Sequence, residues 1–377
     1  MDRKLIFPVL TLMLVILACN VPTSTSTPTV TVIDTPTTPP LPVVSSPGIV
    51  TLHMLDENNG WAISETNVLR TSDGGVTWFN ATPPGVTSLG WAVASLFENT
   101  NTGWVLASNS DTTTGTLYKT IDGGTTWVAA AVPFAGGGLQ FLDETNGWAI
   151  TSLGAGTGSM AVAIFQTNDG GGSWTRVFVN DPTVAGSSDS LPLSGMKTGF
   201  SFLDTNHGWV GGMEPVDDLI YLYASSDGGV TWTLQDVSLP VGYSGIQTVV
   251  ISPHFFDAAE GVLPVGLVAD PSAIDIYITH DGGLTWSPST PVESSGQVSI
   301  ASLTEFFAWD GGPTLEISHD SGTTWESVTP NINIHDTFMT FQFVNAMTGW
   351  ALTGDASKNY SLYKTVDGGS TWNTLIP

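Results

Sequence analysis

An eight-residue motif that recurs seven times constrains the fold of this chain more than any other feature. Each copy reads Ser/Thr-x-Asp-x-Gly-x-Ser/Thr-Trp, and no copy departs from that pattern. The copies occupy residues 71–78, 120–127, 167–174, 225–232, 279–286, 318–325 and 365–372. Seven copies of one motif indicate seven copies of one structural unit.

The chemistry of the motif is typical of a tight turn between two antiparallel strands. In the fourth copy, Asp227-Gly228-Gly229 lies between two short runs of strand-forming residues. Glycine adopts positive φ without steric cost, and an Asp carboxylate accepts backbone N–H bonds inside a turn. The tryptophan that ends the motif begins the return strand and brings a large apolar surface to bury.

A second repeat precedes each motif and marks the start of each unit. In the first unit it is an apolar run ending at Leu55, an acidic turn at residues 56–59, and then Gly60-Trp61. The motif aspartates follow one another at intervals of 39 to 58 residues, which suits four short strands per unit. Each unit therefore reads as strand A, acidic turn, strand B, a variable loop, strand C, the motif turn and strand D.

The motif resembles the Asp-box, or BNR repeat, of sialidases, sortilin-type receptors, xyloglucan hydrolases and photosystem II assembly factors. That resemblance implies β-propellers in which the box joins the third and fourth strands of a blade and is structural. The residues to which this structural role applies are Asp73, Asp122, Asp169, Asp227, Asp281, Asp320 and Asp367, with Trp78, Trp127, Trp174, Trp232, Trp286, Trp325 and Trp372. A calcium site at the boxes is the alternative, but it needs several more oxygen ligands per ion than a box supplies.

The combined pattern of strand, Asn-rich turn, Gly-Trp and box is most similar to the photosystem II stability/assembly factor family. We predict an all-β fold for residues 48–377: a single seven-bladed β-propeller of four-stranded antiparallel blades. The resemblance is specific for architecture and weak for activity.

The first 18 residues read as a lipoprotein signal peptide. Arg3 and Lys4 precede an apolar run at residues 5–17, which suits a secretory signal and is too short for an ordinary membrane span. The run ends in Leu17-Ala18-Cys19, which resembles the lipobox of bacterial lipoproteins and implies a lipid on Cys19. A plain signal peptide with an incidental cysteine is the alternative. We expect an exported protein, anchored by lipid and facing outward at the cell surface or in the periplasm.

Residues 19–47 are rich in Thr, Pro and Ser and almost without charge. Such a composition cannot build a core, so we predict an extended stalk that is a candidate for O-glycosylation. Residues 29–33 have strand character, and an added edge strand is the alternative for them.

Charge and arginine usage exclude some function classes. The formal charge of −26 repels nucleic acid, so no nucleic-acid partner is expected. A sialidase grips its substrate carboxylate with an arginine triad, whereas only Arg70 and Arg176 follow the signal peptide. Arg70 also occupies the repeat position of Lys119 and Lys364, one residue before a box, where we expect an exposed strand residue.

Other catalytic arrangements leave weaker signals. A glycosidase needs two carboxylates about 5–10 Å apart, and the many acids in this chain do not exclude that class. Asp217 and Asp218 follow Glu214 in one loop, and Asp270 and Asp275 occupy the matching loop of the next blade; solvated loop charge is the favoured interpretation. The six histidines show no metal-ligand spacing, and no phosphate loop or nucleophile elbow occurs, so we predict no metal, no cofactor and no catalytic residues.

Propeller geometry predicts where a partner would bind. The A–B and box turns must share one face of the ring, while the B–C and D–A connections share the other. Connections of the second set vary in length: residues 109–116, 153–160, 212–218 and 264–275 are B–C loops and residues 180–197 form a D–A link. Because insertions gather on binding faces, we predict contacts from this face, with candidates Phe134, Asp217, Asp218 and Tyr243. Passive loops that merely tolerate change are the alternative.

The sequence thus favours a monomeric, lipid-anchored, non-catalytic propeller that binds or scaffolds a protein or glycan. A photosystem II assembly factor-like protein and a glycan-active hydrolase are the alternatives.

The anchor is directly testable. Cys19→Ala removes the thiol that would carry the lipid, so the variant should move from the membrane fraction to the medium or periplasm. Fractionation followed by immunoblotting measures this, and unchanged membrane partitioning would show that Cys19 carries no anchor.

Overall fold

The computed structural model describes residues 40–89, 93–109 and 113–376. Within these residues the chain forms thirty strands and one 3-10 helix, His335–Thr337. Blade 1 contains β1 (Val43–Val44), β2 (Ile49–Met54), β3 (Gly60–Ser64), β4 (Val68–Thr71) and β5 (Trp78–Asn80). Blade 2 contains β6 (Ala94–Phe97), β7 (Gly103–Ser108), β8 (Gly115–Thr120) and β9 (Val128–Val132). Blade 3 contains β10 (Gly138–Phe141), β11 (Gly147–Gly156), β12 (Ser159–Thr167) and β13 (Thr175–Val179).

Blades 4 to 7 continue the same order. Blade 4 contains β14 (Met196–Phe202), β15 (Gly208–Met213), β16 (Leu222–Ser225) and β17 (Thr233–Leu234). Blade 5 contains β18 (Gln247–Val250), β19 (His254–Phe255), β20 (Gly261–Val268), β21 (Ala273–Thr279) and β22 (Val292–Glu293). Blade 6 contains β23 (Gln297–Ile300), β24 (Phe306–Trp309), β25 (Leu315–Ser318) and β26 (Glu326–Val328), and blade 7 contains β27 (Phe338–Phe343), β28 (Gly349–Gly354), β29 (Tyr360–Thr365) and β30 (Asn373–Ile376).

These strands form seven separate antiparallel sheets, each with its strands in the order A-B-C-D. Blade 5 carries strand A in two pieces, β18 and β19, that both pair with β20. Blade 1 has one extra strand, because β1 pairs with β5 at the outer edge. The predicted seven-bladed, four-stranded propeller is therefore confirmed.

Each box turn is built by the same hydrogen bonds. In the fourth box, the Ser225 hydroxyl donates to Asp227 Oδ1 (2.9 Å) and accepts from the N–H of Gly229 (2.9 Å). Asp227 Oδ1 also accepts the N–H of Thr231 at 2.9 Å. All three bonds recur in the other six boxes. The bonds favour the ionised carboxylate: the Ser173 hydroxyl and then its N–H lower the pKa of Asp169 to about 2.

A further bond fastens every box to the A–B turn of its own blade. In blade 1 the N–H of Gly74 donates to the carbonyl of Asn58 at 2.7 Å, and the other six boxes make the equivalent bond. Gly74 has a φ of +72°, and a Cβ there would lie 2.7 Å from the carbonyl oxygen of Glu57. Both conformation and space thus favour glycine at this position, although the sixth box carries Ser321 there with a φ of +61°. The bond confirms that box turns and A–B turns share one face, which we call the turn face; the opposite side is the loop face.

Tryptophans on strand B join blades 2 and 3 to the blades that follow them. The Trp104 ring stacks on Phe141 of blade 3 with ring centroids 4.0 Å apart, and its indole N–H donates to the carbonyl of Gly170 in the box of that blade. Trp148 makes the same two contacts with blade 4, through Phe202 and Gly228. The Gly-Trp repeat is therefore the joint between blades, and its aromatic surface supplies much of the buried core.

The ring closes with that same joint. The Trp350 N–H of blade 7 donates to the Gly74 carbonyl of blade 1 at 2.9 Å. The Gln342 side chain bonds both the N–H and the carbonyl of Met54, each at 2.8 Å, as Gln140 bonds Phe202 between blades 3 and 4. In the described part of the chain, blades 1 and 7 share no strand. Side chain to backbone bonds and a hydrophobic core shared by the two blades, which includes Leu69 and Leu352, therefore carry the closure.

Basic residues next to the boxes belong to these joints, which corrects the expectation that they are exposed. Arg70, Lys119 and Lys364 are half-buried, and their charged groups lie 4.8–5.8 Å from the ring centres of strand-B tryptophans. The ammonium of Lys119 also donates to the Glu144 carbonyl of the next blade at 2.6 Å. These cations stabilise blade contacts instead of facing a partner.

Some boundaries differ from those expected. The stalk was predicted to reach residue 47, but Val43–Val44 already pairs with strand β5 of blade 1, where Val43 lies opposite Phe79. The proposed loops at residues 153–160 and 264–275 are mostly strand, with connections at 157–158 and 269–272 only. The signal peptide, Cys19, residues 29–33 and Trp91 lie outside the described residues.

The box tryptophan should contribute much more to stability than its exposed neighbour. Trp232 is buried, so Trp232→Ala should lower the free energy of unfolding by about 3–5 kcal/mol. Val230 in the same turn is 47% exposed, and Val230→Ala should change it by less than about 0.5 kcal/mol. Urea titration measures both values, and similar losses for the two variants would contradict this role for the tryptophan.

Candidate functional site: the loop face

On the turn face, the carboxylates of the acidic A–B turns accept hydrogen bonds from backbone groups of the same turns. Asp56 Oδ1 accepts the N–H groups of Asn58 and Asn59 at 2.7 and 2.8 Å, and Asp143 accepts those of Thr145 and Asn146 in the same way. In residues 40–89, 93–109 and 113–376, no group of three or more His, Cys, Asp or Glu side chains gathers to hold a metal ion. The carboxylates of the acidic turns thus stabilise those turns by accepting backbone N–H bonds.

Phe134 is buried, although an exposed contact residue was expected, and it lines a cavity between blades 2 and 3. Its side chain is 2% exposed and packs edge-on against Trp174, with ring centroids 5.2 Å apart. Phe165 covers a second side at 5.1 Å. The ring contributes to the core between blades 2 and 3, because its link folds back onto the sheet.

The other three candidates lie together near the loop-face end of blade 4. Asp218 has a φ of +63°; its Oδ1 accepts the N–H of Gly245 at 2.6 Å and its own N–H donates to the Ile246 carbonyl. It therefore fastens the B–C loop to the link that leads to blade 5. Tyr243 is half-buried on that link, and Asp217 is exposed beside Asp218. A partner could reach all three, because Asp218 is exposed as well.

Asp275 is buried and is not a solvated loop charge as expected. It lies on β21 with no exposed surface, and its Oδ1 accepts the N–H and hydroxyl of Ser289 at 3.0 and 2.8 Å. Burial raises the pKa of its carboxyl group. Asp270 remains exposed on the hairpin connection, so the two carboxylates do not form a catalytic pair.

Lys197 organises the long D–A link, a role that sequence reasoning missed. Its buried ammonium lies 2.5–3.2 Å from five backbone carbonyl oxygens, which share its three N–H donors. Four of these carbonyls belong to residues 192–195 of the link, and the fifth belongs to Met160. Asn180, at the other end of the link, donates to the Leu191 and Pro192 carbonyls. The link is therefore held in one conformation by its own hydrogen bonds.

Two clefts open on the loop face where a tall hairpin stands beside a short blade. β11 and β12 have 10 and 9 residues, against 6 each in β7 and β8, and a cavity of about 580 Å³ lies between blades 2 and 3. β20 and β21 have 8 and 7 residues, against 4 each in β24 and β25, and a cavity of about 520 Å³ lies between blades 5 and 6. The described residues that line these two clefts include no Asp, Glu, His, Lys or Arg.

Comparison with known proteins agrees with this geometry. The model of the BNR/Asp-box repeat matches residues 277–288, which enclose the fifth box. The chain is a seven-bladed β-propeller that contains a BNR/Asp-box repeat. No functionally curated protein matches it by sequence. No helix in the described ranges has the length and apolar character needed to cross a membrane.

Solved structures share the fold at low identity. The structure described as YCF48 bound to a D1 peptide is 17% identical, with a TM-score of 0.53 over 87% of this chain and 95% of that one. The GH74 xyloglucanase from Xanthomonas campestris is 13% identical, with a TM-score of 0.57; the match covers 89% of this chain and 56% of the enzyme. A PL25 ulvan lyase is 10% identical, with a TM-score of 0.52 over 89% and 96% of the two chains. At these identities the likeness shows the fold and no activity.

Removing the Lys197 ammonium should loosen the link that it holds. Lys197→Met keeps the apolar stem but leaves buried carbonyls without a donor, so unfolding should become easier by about 1–3 kcal/mol. Hydrogen exchange of residues 180–197 should also accelerate. Lys358, which is exposed and forms a 2.6 Å ion pair with Glu65, provides the control: Lys358→Met should leave the free energy of unfolding nearly unchanged, because solvent screens an exposed pair. Equal effects of both substitutions would refute the organising role of Lys197.

Proposed function

We propose that this protein is a lipid-anchored, outward-facing propeller that binds a protein or glycan at its loop face without catalysis. The observation that carries the proposal is the chemistry of the two loop-face clefts. They have the volume of ligand sites, yet their described walls lack the paired carboxylates that glycoside hydrolysis requires.

The division of labour between the two faces supports the same proposal. On the turn face, backbone and carboxylate groups are engaged in the bonds that define the fold. On the loop face, connections differ in length from blade to blade, and a rigid scaffold that carries variable loops is a common design for recognition. The signal-like segment and Cys19 support export and attachment to a membrane.

Two alternatives keep some support. A photosystem II assembly factor-like role is favoured by the fold likeness to YCF48, which was solved with a D1 peptide. A glycan-active role is favoured by the likeness to the xyloglucanase and the ulvan lyase. Against the second, Asp275 is buried, and its Oδ1 accepts two hydrogen bonds from Ser289.

Crosslinking from two matched positions tests which face binds. Val216 on the loop face and Val230 on the turn face belong to the same blade and are 48% and 47% exposed. A photo-crosslinking amino acid at position 216 of the full chain, expressed in its host, should yield discrete adducts, and the same amino acid at position 230 should not. Adducts from position 230 alone would reverse the face assignment.

Turnover tests the absence of catalysis. The full chain, purified in detergent, should release no reducing ends and no unsaturated uronic acids from xyloglucan, arabinan or ulvan. Steady product formation that scales with protein concentration would overturn the non-catalytic proposal and favour the glycan-active alternative.

A further inference from the structure

We infer that the cleft between blades 5 and 6 is the docking site for an extended peptide segment whose aliphatic side chains are flanked by lysine or arginine. This inference deepens the proposed function and rests on its claim that the loop face binds a partner.

The cleft exists because two neighbouring blades differ in height. The β20–β21 hairpin of blade 5 continues past the point where the short strands of blade 6 turn back. Near the turn face, blade 6 covers the side of this hairpin that faces it, and the two blades share a core that includes Val262, Ile276 and Phe306. A blade 6 of equal height would cover the rest of that side. Above that level the covering blade is missing, and the cavity of about 520 Å³ remains open.

The walls of the cleft are aliphatic. Val249, Ile251, Leu267, Val268, Ile274 and Val298 line it. Ile251 is 47% exposed and Val268 is 53% exposed, so apolar surface stays in water unless a partner covers it. Burying aliphatic side chains of a partner here removes apolar surface from water on both sides.

The rim supplies polar groups that suit a peptide backbone. Ser272, Ser294 and Ser295 border the cleft, and the N–H of Ser294 donates to the Ser272 carbonyl at 3.1 Å, which joins the two edges at one end. Serine hydroxyls both donate and accept hydrogen bonds, as an extended backbone requires. No aromatic ring lines this cleft among the described residues, whereas Phe134 and Phe165 line the cleft between blades 2 and 3.

Charge selects the flanking residues of the partner. Asp270 and Glu293 are exposed within two residues of the lining, and Glu293 lies opposite Ala273 in the β21–β22 register. Among the described residues that line this cleft there is no lysine or arginine. The field of a chain with a formal charge of −26 adds to this local attraction for cations. Basic residues on either side of the aliphatic ones would therefore be drawn to the rim, with an association rate that falls as salt increases.

Selection from a random peptide library tests the inference. Phage displaying random 12-residue peptides are panned on the full chain, and enriched peptides are synthesised with a fluorescent label for anisotropy titration. Enriched sequences should place Leu, Ile or Val next to Lys or Arg. Val268→Lys, which puts a charged side chain into the apolar wall, should weaken their binding at least tenfold.

Two further variants locate the site and the charge effect. Leu153→Lys changes an exposed position, 44% accessible, in the cleft between blades 2 and 3, and it should leave the affinity unchanged. Asp270→Asn combined with Glu293→Gln should weaken binding several-fold and flatten its salt dependence. Melting curves establish that all variants fold.

Failure here is separable from failure of the proposed function. Enrichment of acidic peptides, absence of enrichment, or binding that survives Val268→Lys but is lost in Leu153→Lys would overturn the inference. Crosslinks from Val216 would still support a loop-face partner in each of these cases. Polysaccharide turnover would instead overturn the non-catalytic function, whatever the peptides do.

Discussion

The hydrogen bond from the box to the A–B turn is the constraint on which the rest of the propeller depends. It joins the two hairpins of a blade, A–B and C–D, at one end, so the four strands behave as one rigid plate. The same box presents a carbonyl to the strand-B tryptophan of the preceding blade, as Gly170 does for Trp104. One turn thus stabilises its own blade and its contact with a neighbour, which explains why seven copies keep one pattern in this chain.

Ring closure uses the same kinds of contact that join other neighbouring blades. Blade 7 meets blade 1 through Trp350 and Gln342, which make the contacts that Trp148 and Gln140 make between blades 3 and 4. A closure built from side chains needs no exchanged strand, because each blade already has its full set of backbone partners. The short strand β1 instead covers the outer edge of blade 1, where unpaired backbone groups would otherwise face solvent.

Fixing one face leaves the other free to vary. Blade height is set by hairpin length, which the box does not constrain, so tall blades 3 and 5 stand beside shorter ones. The mismatches between blades 2 and 3 and between blades 5 and 6 each open a cleft. Most charged groups of the boxes and joints are also engaged by the fold. Local hydrogen-bond donors keep the box carboxylates ionised. The cations of Arg70, Lys119 and Lys364 lie at blade joints. The loop-face clefts are therefore neutral inside a strongly acidic molecule.

The sequence by itself determined the number of blades, the place of each box and the segregation of turns to two faces. Those features are local and periodic, and a box turn is specified by residues within eight positions of one another. Only the tertiary structure decided that Phe134 and Asp275 are buried, because their surroundings come from other strands and from Trp174 or Ser289. The Lys197 cage, the closure and the cleft between blades 5 and 6 depend on contacts between segments far apart in the chain, or on the relative height of two blades. No local pattern encodes such differences between neighbours, so the fold could be predicted from the sequence and the candidate site could not.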